Sequence, residues 1–437
     1  MALAETQMTT GPVAPYIAAV QEDRLSAAEW HASCLKQIEA TEADINAWVF
    51  LNRAPSQGLA TSPSTGRLAG LPIGLKDIID TSDMPTRLGS PIFADRQPEQ
   101  DADITGLLRQ EGACILGKTV TTEFAFLQPS VTCNPHHTRY SPGGSSSGSA
   151  AAVAAGHVPV AVGSQTGGSV IRPASFCGVF GFKPSQGRFP RGGMLQTSQT
   201  LDHPGLFART LDDIGLVGDV LTASDSSSLY QAATGGHNFT PHFMYSPALY
   251  ADDITDDARS ICADAADRLG RYCSQRDLAA ELHPFQEAHT TIYQAEYAQN
   301  IAPLIAEQPQ LASPETHQMI SAGMAVSASV LEQAYQLRER ALEVMSALLA
   351  DQHVLILPSA TAEAPHLDEG HTGNPACSKL SSLCGLPCLS LPRLGGRRLT
   401  GSNGLPVGIQ LIGRRGCDEH LFAAAYWLDQ FCHSDET

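Results

Sequence analysis

The chain has 437 residues, 43% hydrophobic and 16% charged, enough apolar material for one large α/β core or two ordinary ones. Its formal charge of −18, from 45 acidic against 27 basic residues with no basic stripe, excludes a protein that grips nucleic acid through clustered Lys and Arg. No apolar run approaches the roughly 18 residues of a membrane span, the opening MALAETQMTTG lacks a signal-peptide pattern, and eleven cysteines without a CxxC pair suit reduced thiols, so a soluble cytoplasmic protein is expected.

Residues 1–57 read as an N-terminal helical segment. Apolar positions from Val13 to Ala40 fall at helical spacing in two blocks, and Ser26 followed three residues later by Glu29 predicts a capping box. Ala54 to Gly66 is a turn-rich connection, and LAGLPIGLKDIIDT then reads as strand. That strand carries Lys76, one of only five lysines, between apolar neighbours. It either pairs with Asp77 or Asp80, or burial depresses its pKa and makes it a general base. Gly112 to Thr119, GACILGKT, matches the phosphate-loop pattern in letters. Its context is reversed, with a helix predicted before it and a strand inside it, so nucleotide binding is not expected.

Two glycine-serine turns follow. The first, Gly143 to Gly148, runs into the helix formers Ala150 to Ala155; the second, Gly163 to Ser169, leaves the apolar run Val158 to Val162. Glycines let a substrate carbonyl approach main-chain N–H groups, and serine supplies a hydroxyl that becomes a nucleophile once a base removes its proton. Two such turns, each joined to a regular element, point to a hydrolytic site. Ser224 to Ser228 marks a surface break, and residues 240–350 read as a helical excursion that shapes a substrate pocket. Strands return at VLILP, CLSLP and LPVGIQLIG, and a helix over Glu419 to Phe431 closes the chain. His136-His137 lacks the further ligands of a metal site, and no metal or cofactor is expected.

Taken together, LSAAEWHASCLKQIEA, LPIGLKD, ILGKTVTTEFA, SPGGSSSGSAAAVAAG, GSQTGGSVIRPASFCGVFGFKPS and GLPVGIQLIG resemble the amidase signature family over nearly the whole chain. The resemblance implies one α/β domain over residues 1–437, with a single large mixed β-sheet core flanked by helices, that hydrolyses amides through a Ser–cis-Ser–Lys triad. By that resemblance Ser169 is the nucleophile, Ser145 the bridging serine after a cis peptide, Ser146 a supporting hydroxyl and Lys76 the base. The N–H groups of Thr166, Gly167, Gly168 and Ser169 form the oxyanion hole, and Ala125, Phe126 and Leu127 line the acyl side. Three features depart from the family pattern: Gln165 replaces an acidic residue, Arg172 follows Ser169 one position late, and the Phe126–Asn134 segment is short.

The expected partner is a small uncharged carboxylic amide or a carbamate, with a homodimer as the assembly allowed for. The alternative within the resemblance is the glutamine-hydrolysing component of a tRNA-dependent amidotransferase, which passes ammonia to a partner protein. Arg338 matches the arginine such a component places on the glutamine carboxylate, whereas the aspartate expected for the ammonium falls on Pro375. A binding protein with a dead site is disfavoured by the intact Lys76, Ser145 and Ser169.

Overall fold

The computed structural model describes residues 8–53, 65–222, 228–236 and 239–434. Residues 1–7 of the N-terminal segment, 54–64 of the turn-rich connection and 224–227 of the expected surface break lie outside the described residues.

Among the described residues the strands are β1 (Trp48–Leu51), β2 (Pro72–Lys76), β3 (Cys114–Thr119), β4 (Val160–Gln165), β5 (Phe180–Lys183), β6 (His203–Ala208), β7 (His242–Tyr245), β8 (Cys273–Gln275), β9 (His353–Pro358), β10 (Cys388–Leu391), a short hairpin of β11 (Arg393–Leu394) and β12 (Arg397–Arg398), and β13 (Ile409–Ile412). All but the hairpin join one 11-stranded sheet in the order β1-β3-β2-β4-β6-β5-β10-β13-β9-β7-β8. It is mixed: β2 runs parallel to β3 and β4, β7 runs parallel to β8 and β9, and the other pairs are antiparallel. Helices cover the sheet, so β2, β3, β4 and β6 are buried at every position. Strands covered on both faces read as near-continuous apolar runs, which is why the sequence betrays β2, β3 and β4 but not β6, whose HPGLFA opens on a histidine, a proline and a glycine.

The helix Ala27–Ile45 begins as expected. Ser26 accepts the Glu29 N–H while the Glu29 side chain returns to the Ser26 N–H, and the helix buries Trp30, Cys34 and Ile38 along one stripe. The phosphate-loop letters follow the helix Asp103–Gln110 and run into β3, so Lys118 stands in a strand rather than in a loop.

Residues 240–350 are not helical throughout, because β7 and β8 lie within them and extend the sheet edge. With four and three residues, these strands are too short to display a period of two. The remaining helices of this stretch include Asp256–Leu269, Pro284–Ile305, Pro314–Met324 and Ala328–Leu348. Pro284–Ile305 packs on the latter two and also on the helix Ala376–Leu383. Two helices distant in sequence are thereby brought over the glycine turns. Among the described residues no helix is long and apolar enough to cross a membrane.

Candidate active site

Lys76 ends β2, between β3 and β4, and is fully buried. Hydrogen bonds join its Nζ to Ser145 Oγ at 2.7 Å and to Ser164 Oγ at 2.8 Å. Neither neighbouring aspartate takes it as an ion pair, since Asp77 contacts Lys118 at 3.3 Å and Asp80 contacts Arg96 at 2.7 Å. Burial penalises the ammonium and lowers the Lys76 pKa from 10.5 to about 7, against an opposing pull from Asp202. An amine that is half neutral near pH 7 and touches a serine hydroxyl can take up that hydroxyl's proton.

The first turn leads into the helix Ser147–Ala154, and its Gly144–Ser145 peptide is cis. Gly143 has φ +83°, and a Cβ there would stand 2.9 Å from Pro173 Cα, so backbone and packing both require glycine. Ser146 Oγ donates to Ser164 O at 3.1 Å and accepts from Ser164 N at 3.2 Å, which ties this turn to β4.

The second turn leaves β4 at Gln165 and enters the helix Ile171–Cys177. Gln165 Oε1 accepts the Val170 and Ile171 N–H groups at 3.0 Å each, and its Nε2 donates to Ser382 Oγ at 3.1 Å. Buried Arg172 links the two turns: its Nη2 donates to Gly144 O at 2.7 Å and its main-chain N–H to Gly168 O at 3.0 Å. Ser169 is 8% exposed. Among the described residues its Oγ makes no hydrogen bond, leaving it free to approach a carbonyl; contacts of this kind often tighten only when substrate binds.

Two outer contacts hold the turn's carbonyls. Thr166 O bonds His289 Nε2 at 3.0 Å, and Gly167 O accepts from Ser382 Oγ at 2.7 Å. Thr166 Oγ1 donates to buried Asp202 at 2.6 Å, and Asp202 also accepts from Thr197 Oγ1 and from the Thr197 and Ser198 N–H groups. Sequence reasoning misses Ser164, Asp202, His289 and Ser382 as site residues. Ser164 stands in β4, just before the second turn leaves it; the other three lie 36, 123 and 215 positions from their turn partners.

The Ala125–Leu127 segment abuts the first turn. A Cβ on Gly144 would lie 3.2 Å from Thr122 Cγ2, and Thr122 Oγ1 donates to Phe126 O. Phe124 and Ala125 both have positive φ, +45° and +56°, a conformation that presents this short segment at a local cost. The Phe126 ring centroid lies 5.3 Å from that of Tyr297 and 6.3 Å from that of Tyr293, while Leu127 is 40% exposed. Arg338 is engaged by Leu383 O at 3.1 Å, Gln186 at 3.2 Å and Glu339 at 2.9 Å. Pro375 Cβ lies 3.3 Å from where a Gly168 Cβ would sit, so an apolar ring faces the turn.

Residues 29–422 match the family described as Amidase. A glutamyl-tRNA(Gln) amidotransferase component of Natranaerobius thermophilus is 30% identical, covering 94% of this chain and 93% of that protein. Its counterpart in Moorella thermoacetica is 31% identical over 93% of each. A solved amidase structure, 27% identical, covers 95% of this chain and 98% of its own with a TM-score of 0.84.

Proposed function

The chain belongs to the amidase family, enzymes that hydrolyse amide C–N bonds, and on that premise we propose that it cleaves carboxylic amides through an acyl-enzyme on Ser169. The observation that carries this reading is the buried Lys76 amine bonded to Ser145 at 2.7 Å with no carboxylate against it among the described residues. Neutral Lys76 takes the Ser145 proton as Ser145 takes that of Ser169, and Ser169 Oγ attacks the substrate carbonyl carbon. The π electrons move onto the carbonyl oxygen, which the N–H groups of Thr166, Gly167, Gly168 and Ser169 stabilise. Collapse breaks the C–N bond as the relay returns the proton to the leaving nitrogen. Water then attacks the acyl carbon through the same relay, releasing the acid and restoring Ser169. Ser164 holds the amine in register, and Ser146 fixes the first turn to β4.

The substrate reading is an uncharged acyl group. Ala125, Phe126 and Leu127 border the turns, and Tyr293 and Tyr297 pack on Phe126, which supports a role for the 240–350 stretch in shaping the pocket. An unpaired charge leaving water costs several kcal/mol; Pro375 offers no partner for an ammonium, and Arg338 already has acceptors. A second reading, glutamine hydrolysis within an amidotransferase complex, is favoured by the curated relatives, which align over 93% of their length. Under it, Arg338 exchanges Leu383 and Gln186 for the substrate carboxylate.

The test compares kcat/KM for an anilide, a small aliphatic amide, an aryl carbamate and glutamine, with and without the other amidotransferase proteins. In parallel, a serine-reactive phosphonate is expected to add its mass to the Ser169 peptide. Glutamine as the best substrate, or activity only with partners, replaces the first reading by the second; labelling elsewhere overturns Ser169 in both.

A further inference from the structure

We propose that His289 and the Gln165–Ser382 pair are positioning residues that aim the oxyanion-hole N–H groups of Gly167 and Gly168, one clamp for each of the two peptide planes Thr166–Gly167 and Gly167–Gly168. The proposal rests on Ser169 being the nucleophile. In a trans peptide the C=O of one residue and the N–H of the next point in opposite directions across a rigid plane. Holding the Thr166 carbonyl from behind therefore directs the Gly167 N–H forward, and holding the Gly167 carbonyl directs the Gly168 N–H. Glycine planes are the ones most in need of such restraint, because glycine backbone torsions are the least confined. The structure supplies one outside donor to each: His289 to Thr166 O and Ser382 to Gly167 O.

The protons on these groups follow from the partners. A carbonyl only accepts, so His289 Nε2 carries the hydrogen. His289 Nδ1 is buried without a partner, which suits a neutral ring, and burial depresses the pKa to about 4. The clamp therefore stays a neutral donor across the range where amides are turned over. Ser382 has a single proton, already given to Gly167, so any third group must donate to it, and Gln165 Nε2 does so. A carboxylate at 165 could still accept the Val170 and Ile171 N–H groups but would compete with Gly167 for the one Ser382 proton. The glutamine amide removes that competition. This gives the Gln165 departure a physical role: with an amide, the helix start and the Gly167 plane are held together.

The test uses His289→Phe, His289→Gln, Ser382→Ala and the isosteric Gln165→Glu in the full chain, measuring kcat, KM, melting temperature and affinity for a boronic acid that forms a tetrahedral adduct on serine. His289→Phe and Ser382→Ala are each expected to lower kcat about ten- to hundredfold with KM within about threefold, since a misaimed donor is felt only as the oxyanion forms. Boronate affinity should fall in parallel. His289→Gln, which restores a donor, should regain part of the loss. Gln165→Glu should resemble Ser382→Ala, and combining the two should cost little more than either alone, whereas His289→Phe with Ser382→Ala should multiply. Folded variants with kcat within twofold of the parent, a loss confined to KM, or no advantage of His289→Gln over His289→Phe would overturn the clamps. Phosphonate labelling must persist at Ser169 in every variant; its absence from the parent protein would instead overturn the Ser169 reading.

Discussion

Replacing Lys76 by methionine keeps a four-atom apolar stem and removes the amine, and its effect can be worked from the structure. Burial lowers the Lys76 pKa from 10.5 to about 7, so about half of the amine is neutral at pH 7. An ordinary lysine would be neutral in only about one molecule in 3,000, so burial raises the available base by roughly 10³-fold. The expectation is a kcat/KM that rises with pH with unit slope and an apparent midpoint near 7, because the base works only once the ammonium has lost its proton. Lys76→Met should lose that limb and at least about 10³-fold in kcat/KM, within the range of a positioned proton-transfer group. The same burial acts on stability. The folded-state pKa lies below that of the unfolded chain, so the folded protein binds fewer protons between about 7 and 10.5 and gains stability as pH rises through that window. Below about 7 that stability is gone, at a cost of about 5 kcal/mol. Lys76→Met should therefore melt increasingly above the parent as pH falls from 10 toward 7. The assays are pH profiles with a viscosity control and melting curves at each pH. A flat profile between about 6 and 9 with chemistry rate-limiting, or a variant retaining a tenth of the activity, would refute the reasoning.

Asp202 raises the Lys76 pKa against burial, so Asp202→Asn should move the rising limb of kcat/KM to lower pH; an unmoved midpoint would sever Asp202 from the base. Gly143→Ala meets a left-handed backbone and a contact of 2.9 Å, and urea unfolding should show a loss of at least about 1–2 kcal/mol, with no loss counting against the required geometry.

Legibility follows the range of the interaction. The Ser26–Glu29 box spans three residues, and the buried strands β2, β4 and β9 announce themselves as apolar runs, so both are readable. The phosphate-loop letters are ruled out by their context, and the order helix then strand is what the structure shows. Lys76 stands out as a lysine among apolar residues, but its choice between an aspartate and a serine depends on where Asp77 and Asp80 turn, toward Lys118 and Arg96. A single chain carries no signal for that. His289 and Ser382 are illegible for the same reason: each lies on a helix whose periodicity reports packing, and only tertiary docking lays one polar side chain of each against the turn.

The bond from Ser382 to Gly167 spans 215 positions, and that distance has a meaning during synthesis. At about 5–20 residues per second, a ribosome that has just made the second glycine turn needs about 10–40 s more to deliver the serine that holds it. Throughout that interval the nascent chain already contains Lys76, Ser145 and Ser169 but lacks the helix Ala376–Leu383 that lies over the turn. The chain is thus made with Ser169 early and the helix that bonds its turn late, so an unfinished or prematurely terminated product contains Ser169 without the Ser382–Gly167 bond.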